Sequence, residues 1–306
     1  MREDVGKERM KVLSLFDGIS CGMVALERAG IPVDTYYASE IDKNAIAISQ
    51  KNYPNIIRLG DVTKWREWNI PWAEIDLLIG GSPCQGFSIA GKKLNFEDER
   101  SKLFFEYVDI LNHLKSFNPH IKFLLENVRM PCVISSKIDE LLGVEHIAID
   151  SRNFTGLIRK RYYWTNINAA PAPAKKLSIK DIINNDLPYD KDLSFFLTRT
   201  RYAPTTSYDG IITINPRDNR GKQTWQRGRV YDIEGGCPTI CATLFDLNIT
   251  KDHKKYRKLT IEECEKLQGL PAGYTDSVKY NERGKALGNG WTVDVIAHIL
   301  KYLKEA

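Results

Sequence analysis

The sequence predicts an α/β fold, a doubly wound and mostly parallel sheet joined to a smaller, irregular domain. Three observations predict it. Strand-like and helix-like segments alternate through about the first half of the 306-residue chain. The strand-like segment "IKFLLENV" is nearly all apolar rather than alternating, as expected where helices cover both faces of a sheet. The rhythm then breaks at "NAAPAPAKK", residues 168–176, where prolines among alanines make a linker.

The elements follow in chain order. "KVLSLF" is a β-type run, and "GMVALERAG" is a short helix closed by Gly30. "TYYASE" is a second strand, after which Asp42 caps the helix "KNAIAISQKNY". "IIRLGD" and "IDLLIGG" are two more strands. In "SKLFFEYVDILNHLKSF", Leu103, Tyr107, Ile110, Leu111 and Leu114 share one helical face, and Asn118 with Pro119 ends the helix. "IKFLLENV" is a nearly all-apolar strand, and "KIDELLG" and "HIAIDS" continue the alternation. Residues 177–257 have weaker periodicity and many turn residues, with short β-type pieces such as "GIITIN". Helical patterning returns in "IEECEKLQG" and "DVIAHILKYLKE". The expected division is 1–167 plus 258–306 as one domain, 177–257 as a second, and 168–176 between them.

Composition narrows the function classes. No apolar run approaches the 18 or so residues of a membrane span, and the charged start "MREDVGKERM" lacks the apolar core of a secretory signal. Six cysteines without a CxxC pair are too few for a disulfide scaffold, and Cys237 and Cys241 have no second pair to complete a metal set. No metal is expected, and a reducing cytoplasm is the expected setting. The net charge of +5 is a weak pointer to nucleic acid, but its distribution says more. Residues 217–229, "RDNRGKQTWQRGR", carry Arg217, Arg220, Lys222, Arg227 and Arg229 with amides, a tryptophan and glycines between them. Such a stretch suits phosphate contacts with base-edge readout, and equally a solvated loop.

Ligands of doubly wound sheets bind beyond the carboxyl ends of the strands. "SLFDGISCG" lies there, between the first strand and the first helix, and lacks the GxGxxG spacing of a phosphate cradle. Glu40 ends the second strand, where an acid suits ribose hydroxyls; Asp61 ends the third, where a carboxylate can accept from an adenine amino group. Three such strand ends in register suit a nucleoside-containing cofactor. Cys84 lies past the fourth strand in "GGSPCQGFSIAG", with Pro83 fixing the backbone before it and glycines on both sides. A buried structural cysteine is the ordinary alternative. A nucleophilic thiol needs partners. Glu126 ends the fifth strand, and Arg159 and Arg161 in "IRKRYYW" are expected to face one way on an extended strand.

Together these residues resemble the cytosine-C5 DNA methyltransferases, over nearly the whole chain and in that family's motif order. "FDGISCG", Glu40 and "GDV" resemble its cofactor motifs, "GGSPCQGFSIAG" its Pro-Cys-Gln loop, "LLENV" its Glu-Asn-Val motif and "RKR" its paired arginines. "RKLTIEECEKLQGLPAGYT" and "GNGWTVDVI" resemble the two closing motifs, and "GRVYDIEGGCPTICATL" the recognition segment with Thr243 and Leu244. Leu157 stands where many members have glutamine, and Gly290 and Trp291 stand for the commoner Ser-Val. That tryptophan, with "LFFEY" and "RYYW", is similar to the eukaryotic de novo branch.

The resemblance implies a Rossmann-like class I methyltransferase domain with a smaller target-recognition domain. It implies S-adenosylmethionine as cofactor, S-adenosylhomocysteine as product and duplex DNA as partner. It assigns Cys84 to attack on cytosine C6, Glu126 to the N3 edge and exocyclic amine, Arg161 to O2, and Arg159 to the loop or the base. Phe16 would stack on adenine, Glu40 with Ile41 would hold the ribose, Asp61 and Val62 would read the adenine edge, and Leu103 would cover it. Asp17, Gly18, Ile19, Ser20 and Cys21 would surround the methionine end with Asn289, Gly290 and Trp291. Gln85, Ser88, Thr243 and the basic residues of 217–229 are the expected DNA contacts. A cognate restriction endonuclease is a partner the family admits; a monomer is expected, nucleoid-associated in a bacterium or phage-infected cell. A tRNA-directed enzyme on the same scaffold and a catalytically dead DNA-binding homologue are the rival readings.

Overall fold

The computed structural model describes residues 9–83, 99–193, 206–208, 210–214, 229–242 and 245–305. Expectations resting on Cys84, Gln85, Ser88, Arg217, Arg220, Lys222, Arg227 and Thr243 lie outside the described residues. The chain divides into two compact units, Met1–Ile149 with Lys160–Ala172 and Val295–Ala306, and Asp150–Arg159 with Pro173–Asp294. The change of unit at Pro173 falls inside the 168–176 stretch, and residues 258–294 cluster with the second unit.

Along the chain come β1 (Met10–Leu15), α1 (Cys21–Arg28), β2 (Val33–Ser39), α2 (Lys43–Asn52), β3 (Ile57–Arg58), β4 (Leu77–Gly80), α3 (Glu99–Phe117), β5 (Lys122–Val128), α4 (Cys132–Leu142) and β6 (Ile147–Asp150). α5 (Arg152–Thr155) and β7 (Leu157–Ile158) belong to the second unit, and β8 (Lys160–Thr165) returns to the first. The first unit is built on a seven-stranded sheet ordered β3-β2-β1-β4-β5-β8-β6. β1 runs parallel to β2 and β4, as do β2 to β3 and β4 to β5, while β8 is antiparallel to β5.

Neighbouring residues on a strand point to opposite faces. Leu77 and Leu78 are both 0% exposed, as are Leu124 and Leu125, so both faces of the central strands are covered. Each such leucine contributes roughly 1.5–3 kcal/mol of burial free energy. α3 supplies part of that cover through Phe104, Tyr107, Val108, Ile110, Leu111 and Leu114, all buried. Asp42 caps α2, its carboxylate accepting from the amides of Asn44 and Ala45 at 2.9 and 3.2 Å. β2 and β3 lie on one side of β1, β4 and β5 on the other. The carboxyl ends of β1 and β4 therefore flank the switch point where such sheets open a crevice.

The second unit continues with β9 (Lys191–Asp192), β10 (Thr206–Tyr208), β11 (Ile211–Thr213), β12 (Val230–Asp232), β13 (Cys237–Pro238), β14 (Asn248–Thr250) and β15 (Lys255–Lys258). α6 (Ile261–Leu267) and α7 (Tyr280–Asn289) follow in this unit, and α8 (Val293–Leu300) passes into the first unit at Val295. The second unit's larger sheet is ordered β10-β11-β12-β14-β15-β9, and β13 pairs with β7. The short strands β12, β13 and β14 are buried along their length, and buried polar ties supplement them. The Arg257 guanidinium donates to both Glu263 oxygens at 2.7 and 2.8 Å. Glu265, 0% exposed, accepts from Arg283 at 3.1 Å. Among the described residues no helix is long and apolar enough to cross a membrane.

Candidate active site

The turn after β1 holds three left-handed residues within five: Phe16 (φ 57°), Gly18 (58°) and Ser20 (60°). Such a backbone costs a non-glycine residue about 1–2 kcal/mol, so neighbours must hold it. Asp17 does so, its amide donating to the Ser39 carbonyl at 3.0 Å. Its carboxylate accepts from the hydroxyls of Ser14, Ser20 and Tyr36 at 2.7, 2.5 and 2.8 Å. Burial pushes the Asp17 carboxyl above the usual carboxylate range, while those three hydroxyls pull it back. Ile19, Ser20 and Cys21 turn inward and are buried, so this turn offers a ligand mainly backbone and the open side of Gly18. A Cβ built on Gly18 meets nothing within 4 Å.

Glu40 closes the same turn from β2. Its Oε2 accepts from the Gly18 amide, and its Oε1 from the amides of Ile41 and Asp42, each at 2.8 Å. A carboxylate has about four acceptor sites, so one remains on Oε2 for a hydroxyl. Asp61 turns Oδ1 to the Thr63 amide and hydroxyl, both at 2.9 Å. Val62 is buried, Phe16 and Leu103 are half-buried against the core, and Ile41 is 70% exposed. This donor set fits the nucleoside part of S-adenosylmethionine. Carboxylates at successive strand ends match hydroxyls, an amine and a nearby positive charge. A phosphate would compete for the Gly18 amide, which Glu40 already occupies.

At the end of β4 a glycine is required. A Cβ on Gly80 would stand 2.9 Å from the Tyr107 ring and 3.1 Å from the Leu15 carbonyl oxygen. Gly80 pairs with Leu125, which sets Glu126 one residue further along the neighbouring strand. Asn127 then ties the two strand ends together. Its Nδ2 lies 3.2 Å from the Ser82 carbonyl oxygen and 3.1 Å from the Ser82 hydroxyl. Ser82 is two residues before Cys84, so the segment leading to Cys84 is anchored beside Glu126. On β8, Arg161 places Nε 3.0 Å from Oε1 of Glu126, with both side chains mostly buried.

Arg159 does not share that partner. It sits in the break between β7 and β8, is 4% exposed, and donates to the carbonyls of Gly288 and Gly290 at 3.1 and 3.0 Å. The expected common facing of Arg159 and Arg161 is thus not observed, because the strand is interrupted between them. Asn289 ends α7 and is exposed, while Gly290 and Trp291 are half-buried. Arg229, the one described member of the basic stretch, lies just before β12 and is half-buried. Burial pushes the Tyr231 phenol up to about 12, and the neighbouring Arg229 charge opposes that shift. Among the described residues, no group of three or more His, Cys, Asp or Glu is placed to hold a metal ion. Sequence reasoning missed the Asn127–Ser82 tie and the Arg159 contacts. The first was within reach, since an amide beside Glu126 at a buried strand end needs partners.

A family model described as C-5 cytosine-specific DNA methylase matches residues 10–135 and 154–305. The type II methyltransferase M.NgoBV of Neisseria gonorrhoeae is 28% identical over 294 residues, covering 86% of this chain and 63% of that protein. The orphan methyltransferase M.Rho11sI of Bacillus phage rho11s is 42% identical over 123 residues, 40% of this chain and 23% of that protein. The chain therefore spans less than two thirds of the length of either. The type II methyltransferase M.Bsp6I of Bacillus sp. (strain RFL6) is 26% identical, with 95% and 97% of the two chains covered. Among solved structures, S. pombe Dnmt2 methyltransferase aligns with a TM-score of 0.66 at 17% identity, over 97% of this chain and 99% of that one. A prophage-encoded DNA modification methyltransferase of E. coli aligns at 0.62 and 22% identity, over 97% and 99%. Both likenesses are of fold.

Proposed function

The chain belongs to the C-5 cytosine-specific DNA methylase family, and on that premise we propose that it methylates C5 of a cytosine flipped out of a short duplex DNA site. The cofactor we assign is S-adenosylmethionine, which supplies an electrophilic methyl group when bound. Phe16, Gly18, Glu40 and Asp61 are the residues that would hold it in the first unit, with Ile41, Val62 and Leu103 beside them. Residues 289–291 are the proposed contacts to its methionine end. Catalysis is assigned to 1–167 plus 258–306 and recognition to 177–257, with 168–176 joining them. Duplex DNA is the proposed partner, and a cognate restriction endonuclease a further one.

The observation that carries this reading is the anchoring of Ser82 to Asn127, which joins the approach to Cys84 to the strand end bearing Glu126. The Cys84 thiolate adds to C6 of the extruded ring, forming an S–C6 bond and making C5 electron-rich. Glu126 holds the N3 edge and the exocyclic amine, and stabilises the charge that develops there. Arg161 orients Glu126 and reaches toward O2. Once C5 carries the methyl group, its proton leaves to a base, the C5–C6 double bond re-forms and the S–C6 bond breaks. Cys84 is thereby regenerated. Gln85 and Ser88 are placed by sequence on the same loop and would fill the gap or touch the backbone, while Thr243 and the basic residues of 217–229 are the other proposed DNA contacts.

Transfer of labelled methyl groups from S-adenosylmethionine to duplex DNA, with tRNA as the parallel acceptor, tests the reading. Label in DNA recovered as 5-methylcytosine supports it. Label in tRNA alone, or in neither acceptor, overturns it in favour of an RNA-directed enzyme or an inactive homologue respectively.

A further inference from the structure

A chain of hydrogen bonds runs beneath the turn after β1 and ends on the edge strand of the first unit. On β3, Nη2 of Arg58 donates to the Ser49 hydroxyl of α2 at 2.8 Å. The hydroxyls of Ser49 and Ser20 are bonded to each other, and Ser20 donates to Oδ2 of Asp17 at 2.5 Å. Both serines are 0% exposed. The two ends of the chain fix its direction. A guanidinium only donates and an ionised carboxylate only accepts, so each hydroxyl accepts from the Arg58 side and donates toward Asp17. The hydroxyls of Ser14 and Tyr36 occupy Oδ1 of Asp17, and the carboxylate is turned into the protein.

Two features set this chain apart from ordinary packing. Ser20 is the N-cap residue of α1, where a serine hydroxyl ordinarily accepts from amides of its own helix. It makes no such bond here, and its hydroxyl serves Asp17 and Ser49 instead. Among the described residues, the bond to Ser49 is the one hydrogen bond of the Arg58 guanidinium, whose Nη1 is buried without a partner. A charge withdrawn from water costs free energy unless another charge answers it. Here the answering charge is Asp17, two hydroxyls away, and Arg58 joins the hydroxyls in opposing the upward push of burial on that carboxyl. Asp17 passes the constraint to the backbone. Its amide donates to the Ser39 carbonyl at 3.0 Å and its carbonyl accepts from the Ser20 amide at 3.1 Å, with left-handed Phe16 before it and left-handed Gly18 and Ser20 after.

We propose that Arg58 is a positioning residue for cofactor binding: through Ser49 and Ser20 it fixes the Asp17 carboxylate, and so holds the turn at residues 16–20 in the backbone form that the ligand meets. Arg58 itself touches no ligand. The inference rests on the proposed role of Phe16 and Gly18 in holding S-adenosylmethionine. A turn ordered before binding spares the ligand the entropy of ordering it.

Calorimetric titration with S-adenosylhomocysteine, hydrogen exchange at residues 16–20 of the ligand-free protein and steady-state methyl transfer test it. The variants are Arg58→Met, Arg58→Lys, Ser49→Ala and the double variant of Arg58→Met with Ser49→Ala. Arg58→Met keeps the stem and loses the donor. It and Ser49→Ala should each speed exchange in the turn and raise Kd and the cofactor KM about tenfold, while kcat at saturating cofactor falls less than about threefold. The double variant should bind no more weakly than the worse single variant, because both changes cut one chain. Arg58→Lys, which keeps a donor for the Ser49 hydroxyl, should lie between Arg58→Met and the wild type. A wild-type Kd in folded Arg58→Met or in folded Ser49→Ala overturns the inference, whatever the exchange rate. Weakened binding with unchanged exchange in the turn overturns it too, as does full additivity in the double variant. Should Arg58→Met not fold, Ser49→Ala decides by the same readings. Glu40→Ala separates the inference from the reading beneath it. Weakened binding in Glu40→Ala beside wild-type binding in the Arg58 and Ser49 variants sinks the inference alone. A wild-type protein that binds no S-adenosylhomocysteine sinks the cofactor reading, and the inference with it.

Discussion

Nε of Arg161 lies 3.0 Å from Oε1 of Glu126. Arg161 pairs with Val128 across β5 and β8, two residues beyond Glu126, so the two side chains are diagonal neighbours on one face of the sheet. On the proposed mechanism the buried Glu126 carboxylate must be oriented before the ring arrives, and this guanidinium would fix it. Arg161→Ala should lower kcat roughly a hundredfold, as loss of one preorganised polar contact does. Glu126→Gln should lower it at least as far. The double variant should be little worse than Glu126→Gln alone, because the residues act as a unit. A double-mutant cycle on methyl transfer checks this; full additivity would contradict it.

The Asn127 amide holds Ser82, two residues before Cys84 in the sequence. Asn127→Ala leaves the buried Ser82 carbonyl without that donor, at a cost of about 1–3 kcal/mol in stability. Urea unfolding should register that loss. At a temperature where the variant remains folded, kcat should still fall about tenfold or more, because the nucleophile's approach is no longer anchored. Normal turnover in a destabilised variant would separate the anchor from catalysis.

Glu265 is 0% exposed and accepts from the amides of Gly273 and Thr275 at 2.6 and 2.8 Å, as well as from Arg283. Glu265→Ala removes the buried acceptor shared by Arg283 and two amides, leaving Arg283 with Glu262 and the Thr275 hydroxyl, and should destabilise the second unit by about 1–3 kcal/mol. Glu265→Gln should cost less, since it keeps an acceptor. Denaturant midpoints for the pair check the order.

The thiols differ in reactivity for physical reasons. Cys132 and Cys241 are exposed, whereas Cys21, Cys237 and Cys264 are buried. Burial pushes the Cys237 and Cys264 thiols up, so both stay protonated at pH 8 and resist thiolate-dependent reagents. Native protein should therefore show fast modification at Cys132 and Cys241 and none at Cys237 or Cys264. Peptide mapping of the labelled sites reads the result. Fast labelling of Cys237 or Cys264 would contradict it.

Much of the first unit was legible because its signals are local. Apolar runs gave β1, β2, β4 and β5, and Asp42 before "KNAIAISQKNY" gave the cap of α2. "IIRLGD" pairs over only Ile57–Arg58, since the edge strand has a single neighbour to extend along. α7 was missed. Its glycines, which break a helical pattern by propensity, are there for close approach: a Cβ on Gly284 would collide with the Phe245 ring at 1.9 Å. At the site, residue types were readable but partners were not. Glu40 was expected to face a ribose, and three of its acceptor positions serve Gly18, Ile41 and Asp42. Arg159 finds carbonyls some 130 residues away, a contact that no periodicity announces. The helical patterning of "IEECEKLQG" does not announce that Glu263 and Glu265 are buried ties.

The central claim is that the Cys84 sulfur bonds transiently to C6 of an extruded cytosine. Duplex DNA carrying 5-fluorocytosine at the methylated position reports it most directly, because fluorine cannot leave C5 as a proton does. With S-adenosylmethionine present, the wild-type protein should form a complex that survives denaturing electrophoresis, and mass spectrometry should find the nucleotide on the peptide containing Cys84. Cys84→Ser should form none. The claim is contradicted if no stable complex forms on DNA that the enzyme otherwise methylates, or if the nucleotide is found on any other residue.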